Sequence, residues 1–420
     1  MARTRRTHAS TRLGLGLGVA LSRALPVFAP SSAGCGTVPP AAPGETAELS
    51  LNDAGNNNQR QFYMHVPVGY NASEPTAVVL AFHGWDNDGQ DLVYPMTPQS
   101  DRSNFIVVGP NGLAENQYTS WNGGGTTQVP YPGPRGPTCD VSYPYTDYCY
   151  TSCAARDEGC HPCDWTTCND DIAFVGTLLD WLEARLCLDL DKVYAVGFSN
   201  GATFTYAVSA ALSTRIVAFV ANSGTPHPGF EVAPERAQSV MDLHGTSDNT
   251  CPPDHTSPGP GGSPSGQPSG DGWYYLDVAS TLTLWLDVLQ AARTSAAGCG
   301  SLEPPVDPAA SPPSYLTSAD GERGLSCVRL DPGASCIGDD ALNSTKIVRC
   351  SFEGGHEVRK RSCCPCVCVT FNVKSDHFAK TGSGRTSTPQ KRPFAYLSGA
   401  SEHAAGRMGV FKRRSGRDLR

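Results

Sequence analysis

One short segment constrains the fold of this chain more than any other feature. Residues 192–196 read as a buried strand, residues 201–212 have helical spacing, and a Gly-x-Ser-x-Gly sequence at 197–201 joins them. Glycine at both ends of this sequence permits a turn so tight that side chains there would clash. A strand that passes this abruptly into a helix is typical of parallel sheets covered by helices.

The rest of the chain repeats this alternation of strand and helix. Residues 61–67 alternate apolar and polar side chains and are predicted to form an edge strand that ends at Pro67. Longer apolar runs predict strands buried on both faces. The pattern predicts an α/β fold with a mostly parallel central sheet and helices on both faces. The other predicted strands are 76–82, 105–108, 192–197, 216–220, 239–244 and 345–350, and the predicted helices are 170–187, 201–212 and 276–297.

The tight turn also places a serine where chemistry is expected. Ser199 would project above the carboxyl edge of the sheet, with the first amides of the next helix facing whatever it attacks. Because a serine hydroxyl needs a base, we expect an acid and then a histidine after later strands. Asp248 and His356 occupy those positions, so Ser199, Asp248 and His356 are predicted as nucleophile, acid and base. His244 precedes the acid and is interpreted as a structural, hydrogen-bonded histidine.

Two backbone amides are predicted to form an oxyanion hole, which acyl transfer requires. One is the amide of Asn200, directly after the nucleophile, and the other is the amide of Trp85, which follows the strand at 76–82. Trp121 and Tyr143 are candidate residues of a substrate cleft, and packing around disulfides is the alternative role for them. This chemistry needs neither a metal ion nor an organic cofactor.

The cysteine content predicts an oxidising compartment. The chain has 17 cysteines, five of them within residues 149–168, and it carries two glycosylation sequons, at Asn71 and Asn343. A cytosolic zinc protein is disfavoured, because no clean pairs of Cys-x-x-Cys with flanking histidines appear. The long loop at 112–169 is therefore expected to be stapled by disulfides.

The N-terminal region resembles a secretion signal. Residues 1–33 contain a basic start, an apolar run at 13–21 and small residues at 32–34 that could host cleavage. A disordered basic leader is the alternative. Residues 34–58 are predicted as a linker, and residues 252–272 as a low-complexity surface insertion in a catalytic domain that covers 59–357. No later apolar run is long enough to span a bilayer, so stable membrane insertion is not expected.

The charge is unevenly distributed. The formal net charge of −8 argues against nucleic acid as a partner. Positions 359–420 hold 14 basic and 3 acidic residues, a net charge of +11, which leaves −19 for the rest of the chain. This basic, Cys-rich tail, 358–420, has three competing explanations: a wrongly predicted gene end, a true extension that binds an acidic wall polymer, or a metal site.

Six segments, which together span about residues 60–357, resemble the secreted feruloyl esterase and polyhydroxybutyrate depolymerase group of α/β-hydrolases. The tail departs from that group, because the Gly-Gly-His segment is not followed by an aromatic-Pro segment and a closing helix. The matching segments are Phe82-His-Gly-Trp, Ser120-Trp-Asn-Gly-Gly-Gly, Trp165-Thr-Thr-Cys-Asn-Asp-Asp-Ile-Ala-Phe, Val193-Tyr-Ala-Val-Gly-Phe-Ser-Asn-Gly-Ala, His244-Gly-Thr-Ser-Asp and Gly354-Gly-His.

The resemblance implies the α/β-hydrolase fold and the same three roles for Ser199, Asp248 and His356. It also implies a secreted serine esterase that acts on feruloyl or acetyl esters of extracellular polysaccharide, or on a polyhydroxyalkanoate. Two alternatives stay open. One is a serine peptidase of the same fold, and the other is a secreted carbohydrate-binding protein with a decayed site.

Overall fold

The computed structural model describes most of the chain before residue 357. The predicted signal peptide up to residue 30, the centre of the 252–272 insertion and the 358–420 tail lie outside the described residues. The described residues are 31–53, 58–115, 117–126, 133–142, 148–154, 161, 163–254, 268–296, 299, 325–331, 342 and 344–356.

Within these residues the chain forms nine strands and five helices. The strands are β1 (Thr46–Asp53), β2 (Asn58–His65), β3 (Thr76–Phe82), β4 (Phe105–Pro110), β5 (Leu188–Phe198), β6 (Ala218–Asn222), β7 (Ser239–Gly245), β8 (Leu325–Arg329) and β9 (Ile347–Phe352). The helices are α1 (Gln90–Ser103), α2 (Thr151–Ala154), α3 (Asp171–Glu183), α4 (Asn200–Ala211) and α5 (Val278–Ser295).

The strands form one sheet in the order β1-β2-β4-β3-β5-β6-β7-β9-β8. The pairs from β4 through β9 are parallel, whereas β1 with β2, β2 with β4, and β8 with β9 are antiparallel. Every residue of β3 and β4 is buried, as expected for central parallel strands. This mostly parallel sheet is the predicted α/β-hydrolase fold, and the prediction of fold class is confirmed.

Apolar side chains project from both faces of the sheet and form a core on each. Val78 and Leu80 of β3 pack on one face with residues of α3, α4 and α5, whereas Val79 and Ala81 pack on the other face with Val93 of α1. Successive side chains of a strand point to opposite faces, so one apolar run supplies both cores. The expectation of helices on both faces is confirmed.

The linker predicted at 34–58 is wrong, because β1 lies inside it. Thr46–Asp53 pairs with β2 over its whole length, so β1 is the edge strand and the 61–67 strand is not. The segment before β1 is also part of the fold. Ser32 is buried, its amide donates to the carbonyl of Leu188 at 3.0 Å, and its hydroxyl accepts the Leu188 amide at 2.8 Å. Residues 31–33 therefore contact the folded domain, although the predicted leader included them.

Disulfides staple the long loop, as predicted. Two of the disulfides join residues within 112–169. Another ties the N-terminal segment to the residue before β5, and another joins β8 to β9. The sulfurs of Cys153 and Cys168 lie close to the Asp164 carboxylate, a combination of side chains that can bind a metal ion. The disulfide between the two cysteines leaves no thiolate to act as a ligand. No helix among the described residues has the length and apolar character to cross a membrane. The pairs whose two cysteines both lie among the described residues are Cys35–Cys187, Cys139–Cys163, Cys153–Cys168 and Cys327–Cys350.

Candidate active site

Ser199 sits at the junction of β5 and α4. Its backbone angles, φ 56° and ψ −123°, are rare for a residue with a side chain and are found mostly at functional sites. The turn needs both glycines. A Cβ on Gly197 would lie 2.2 Å from the Gly201 carbonyl oxygen, and a Cβ on Gly201 would lie 2.2 Å from the Phe82 carbonyl oxygen. The close approach of β3, β5 and α4 thus holds the serine above the sheet.

The structure brings the three predicted catalytic residues together. The Oγ of Ser199 lies 2.7 Å from Nε2 of His356, and Nδ1 of His356 lies 2.9 Å from Oδ2 of Asp248. The histidine is separated from the serine by 157 positions and from the aspartate by 108. These distances are those of a serine whose proton can pass to an imidazole that a carboxylate orients.

Asp248 is held at the end of β7 by backbone donors. Its amide donates to the Gly245 carbonyl at 3.3 Å, and its Oδ1 accepts the amides of Thr250 at 3.0 Å and Cys251 at 2.9 Å. Burial acts to raise the pKa of Asp248. The hydrogen bond and charge of His356 and the Cys251 amide outweigh it and hold the pKa below its ordinary value. The residue is therefore a carboxylate at neutral pH, as the orienting role requires.

Glycines after β9 bring His356 back over the end of β7. The Ser247 amide donates to the Gly354 carbonyl at 2.8 Å, and a Cβ on Gly245 would lie 2.3 Å from the Gly355 carbonyl oxygen. Gly354 has a φ of 154°, which favours glycine. The imidazole packs on the ring of Phe198, with ring centres 5.2 Å apart. The histidine is thus fixed between the acid and the nucleophile.

The two predicted oxyanion donors follow the ends of β5 and β3. The Asn200 amide begins α4, where the first amides of a helix have no intrahelical acceptor. The Asn200 side chain is engaged elsewhere, with its Oδ1 accepting the Trp121 amide at 2.7 Å and its Nδ2 donating to the Trp121 carbonyl at 3.0 Å. Trp85 follows β3 directly after Gly84, whose Cβ position is 3.0 Å from the Phe198 ring. The role of these two amides stays a prediction.

His83, which the sequence did not predict as a functional residue, supports the turn after β3 that carries Trp85. Its Nδ1 donates to the Gly84 carbonyl at 2.6 Å, and its Nε2 accepts the Gly112 amide at 2.9 Å. Burial lowers the pKa of His83 to about 4, so the ring is neutral and can both donate and accept. Its position directly before Gly84 is the only signal that the sequence offers.

The cleft residues differ from the prediction. Trp121 is fully buried, stacks on Phe204 with ring centres 5.1 Å apart, and donates from Nε1 to the His83 carbonyl at 3.1 Å. Trp121 is therefore a core residue, and the prediction that it lines a cleft is wrong. The Asn200 side chain binds both backbone groups of Trp121, which holds it against α4. Tyr143 lies outside the described residues.

Another group of aromatic rings is accessible beside the turn that carries the predicted oxyanion donor. The ring centre of Trp85 lies 4.1 Å from that of Tyr118 and 5.4 Å from that of Tyr148, and Tyr118 is 42% exposed. The Trp85 indole donates to the Trp165 carbonyl at 3.1 Å. We call Trp85, Tyr118 and Tyr148 the aromatic cluster. The sequence did not predict it, because Trp85 lies in the turn after β3, whereas Tyr118 and Tyr148 come from distant parts of the 112–169 loop.

His244 has the structural position that the sequence predicted. Its Nδ1 lies 2.8 Å from Oδ1 of Asp242, and the Tyr206 hydroxyl donates to Oδ2 of the same carboxylate at 2.8 Å. All three side chains are buried. The histidine that contacts Oγ of Ser199 is His356, the predicted base.

The chain is similar in sequence to known esterases over about half of its length. No family model matches the chain. "Probable feruloyl esterase C" of Aspergillus terreus is 22% identical over 231 residues, which are 53% of this chain and 64% of that protein. Feruloyl esterase C of Emericella nidulans is 23% identical over 238 residues, 54% of this chain and 66% of that protein. The acetyl xylan esterase from Aspergillus awamori has 16% identity and a TM-score of 0.41, over 78% of this chain and 99% of that chain.

The chain is a distant homologue of fungal feruloyl esterases. It spans somewhat less than two thirds of the length of these two relatives.

Proposed function

We propose that this protein is a secreted serine esterase that hydrolyses carboxylic esters through a covalent acyl-enzyme. One observation carries the proposal: Ser199 Oγ lies 2.7 Å from His356 Nε2, whose other ring nitrogen lies 2.9 Å from Asp248. Three residues far apart in the chain meet in the hydrogen-bonded series that nucleophilic catalysis by serine requires. The distant homology to feruloyl esterases favours an ester over an amide substrate.

The reaction proceeds in two half-reactions. His356 takes the proton of Ser199 as Oγ attacks the ester carbonyl, and Asp248 stabilises the imidazolium that forms. The tetrahedral intermediate collapses, and the alcohol leaves with the proton from His356. Water then attacks the acyl-enzyme by the same path, which releases the carboxylic acid and restores the serine.

The oxyanion would be held by the amides of Asn200 and Trp85. Such donors contribute most when they are fixed before the reaction. The Asn200 side chain is locked to both backbone groups of Trp121, and His83 locks the turn before Trp85. Both donors therefore lie on rigid supports, which favours their proposed role.

The proposed substrate class is an ester on an extracellular polymer. Feruloyl or acetyl groups on polysaccharide are favoured, with polyhydroxyalkanoate as the alternative. Two of the relatives described above are named as feruloyl esterases. The aromatic cluster adjoins the predicted oxyanion turn, and its partly exposed rings offer a stacking surface for an aryl acid or a sugar ring. The disulfides favour a protein that works outside the cell.

Hydrolysis of short-acyl nitrophenyl esters and methyl ferulate tests the proposal. The wild-type protein should turn over both, and Ser199→Ala should lower kcat by at least about 10³-fold. Ser247→Ala is the matched control, because Ser247 is exposed and adjacent to Asp248, and it should keep activity within about twofold. Equal activity in Ser199→Ala and the control would overturn the assignment of the nucleophile. An aminoacyl amide assayed in parallel separates esterase from peptidase.

A further inference from the structure

The sequon at Asn71 lies in a turn on the surface of the folded domain. Asn71, Ala72 and Ser73 follow β2 and precede β3, and both Asn71 and Ser73 are exposed. The Asn-x-Ser pattern is the acceptor sequence for N-linked oligosaccharides, and an asparagine must be accessible in the folded chain to carry so bulky a group. The proposed ester hydrolysis uses none of these residues.

Hydrogen bonds hold the turn in one conformation. The Oδ1 of Asn71 accepts the Ser73 amide at 3.0 Å, and the Asn71 carbonyl accepts the Glu74 amide at 3.0 Å. The preceding residue, Tyr70, is buried, and its hydroxyl accepts the Cys187 amide at 2.8 Å. Asn71 therefore lies in an exposed turn that a core residue anchors.

Two exposed valines flank this turn. Val68 is 62% exposed and lies three positions before Asn71. Val38 is 91% exposed, and its segment is tied to the sequon because the Gly36 amide donates to the Ala72 carbonyl at 2.7 Å. We call Val38 and Val68 the valine pair. Exposed apolar side chains that lie near one another favour association between molecules unless something covers them.

The turn lies far from the proposed triad. Strand β3 begins at Thr76, shortly after the sequon, and ends at Phe82, whose register partner in β5 is Gly197. Ser199 follows the end of β5. The seven residues of β3 extend over about 20 Å, so Asn71 and Ser199 lie at opposite ends of the strand. A group attached to Asn71 would therefore leave the serine accessible.

A disulfide beside the turn indicates the compartment in which the sequon would be modified. Cys187, whose amide donates to Tyr70, is joined to Cys35. Disulfides form in the lumen of the endoplasmic reticulum, where oligosaccharides are also attached to asparagine. A chain that acquires this disulfide there also presents Asn71 to the glycosylation machinery.

We propose that Asn71 is an N-glycosylation site and that its oligosaccharide covers the valine pair. The donor is an oligosaccharide linked through pyrophosphate to a lipid. Nδ2 of Asn71 forms a bond to the anomeric carbon of the first sugar as the bond from that carbon to the pyrophosphate oxygen breaks. The amide loses one proton, the lipid pyrophosphate leaves, and no group is oxidised or reduced. The sugar rings then screen the two apolar side chains from other molecules.

Secretion of the full-length protein from a eukaryotic host that attaches N-linked glycans tests the site. Glycopeptide mass spectrometry should find the oligosaccharide on Asn71, and treatment with peptide N-glycosidase should raise the electrophoretic mobility. Ser73→Ala removes the hydroxyl that the sequon needs and should abolish the modification, whereas Ser73→Thr is the matched control and should keep it. Both variants retain the backbone amide that donates to Asn71 Oδ1. An unmodified Asn71 in the wild-type protein, or a glycan on Asn343 alone, would overturn the proposal.

Light scattering tests the covering role. Ser73→Ala, and native wild-type protein from which the glycosidase has removed the glycan, should both show a larger aggregated fraction than the glycosylated protein. Addition of Val38→Ser and Val68→Ser to Ser73→Ala should return that fraction to the wild-type level. An aggregated fraction that is the same with and without the glycan would contradict the covering role.

Ester hydrolysis tests the position of the glycan relative to the triad. In soluble Ser73→Ala protein, kcat/KM on a nitrophenyl ester should stay within about twofold of the wild-type value, because the turn lies at the opposite end of β3 from Ser199. A large loss of activity there would contradict this position. Mass spectrometry of Asn71 needs no esterase activity, so failure of the proposed function and failure of this site are distinguishable.

Discussion

Among single residues, Asp248 must be ionised to orient His356. Its side chain is fully buried, yet it accepts two backbone amides and the His356 ring. An amide in its place would present the wrong group to Nδ1 of His356 and favour the wrong ring tautomer. We therefore expect Asp248→Asn to lower kcat by about 10³–10⁴-fold with little change in fold. Asp254→Asn, an exposed carboxylate six positions away, is the control and should stay near wild type.

The same carboxylate makes stability depend on pH. The folded-state pKa of Asp248 is lowered, so its contribution is present above the unfolded-state value of about 4 and is lost as the pH falls through the folded-state pKa. The wild-type protein should therefore exceed Asp248→Asn in unfolding free energy most clearly above about pH 5, and the margin should shrink toward pH 2. Denaturant unfolding across this range measures it. A margin that grows in acid would contradict the assigned pKa direction.

The sequence predicted that Ser199, Asp248 and His356 meet, because each follows a strand end and strand ends of a parallel sheet converge. It did not identify the residues that loops bring in. Trp121 looked like an exposed aromatic residue, but its burial under α4 depends on a side-chain contact with Asn200. The aromatic cluster depends on the turn after β3 and the 112–169 loop, which meet only in the folded chain.

Among the strands and helices, the sequence predicted best those with a continuous apolar run. Every residue of β3 matched the prediction, because a strand buried on both faces is a continuous apolar run. Helix α1 was missed because Pro95 and Pro98 lie within it. Strand β1 was missed because its polar face and edge position give it the composition of a linker.

The junction of β5 and α4 gives the sharpest test at this scale. Gly201→Ala would place a Cβ 2.2 Å from the Phe82 carbonyl oxygen. Relief of this clash would require the backbone of β3 or α4 to move. We expect a loss of about 2–4 kcal/mol in unfolding free energy and a large loss of activity. Gly176→Ala is the control, because a Cβ there meets nothing within 4 Å inside α3. It should stabilise the protein by up to about 1 kcal/mol. Equal effects of both variants in denaturant unfolding would contradict this account of the turn.

At the scale of the whole molecule, the N-terminal segment belongs to the folded domain. Ser32 bonds both backbone groups at the start of β5, and Cys35 is joined to Cys187 across 152 positions. Cleavage of a leader at 33 would remove Ser32 from this contact. We predict that the mature protein retains Ser32, so that its N-terminus lies at or before residue 32. N-terminal sequencing measures this, and a mature chain that begins at Gly34 would contradict it.

Covalent labelling can show whether Ser199 is a nucleophile activated by His356 and Asp248. The protein is treated with a fluorophosphonate, and peptide mass spectrometry locates the adduct. This activation predicts one adduct on Ser199 in the wild-type protein, none in Ser199→Ala, and labelling slowed by at least about 10²-fold in His356→Ala. An unlabelled wild-type protein, or an adduct on another serine, would contradict it.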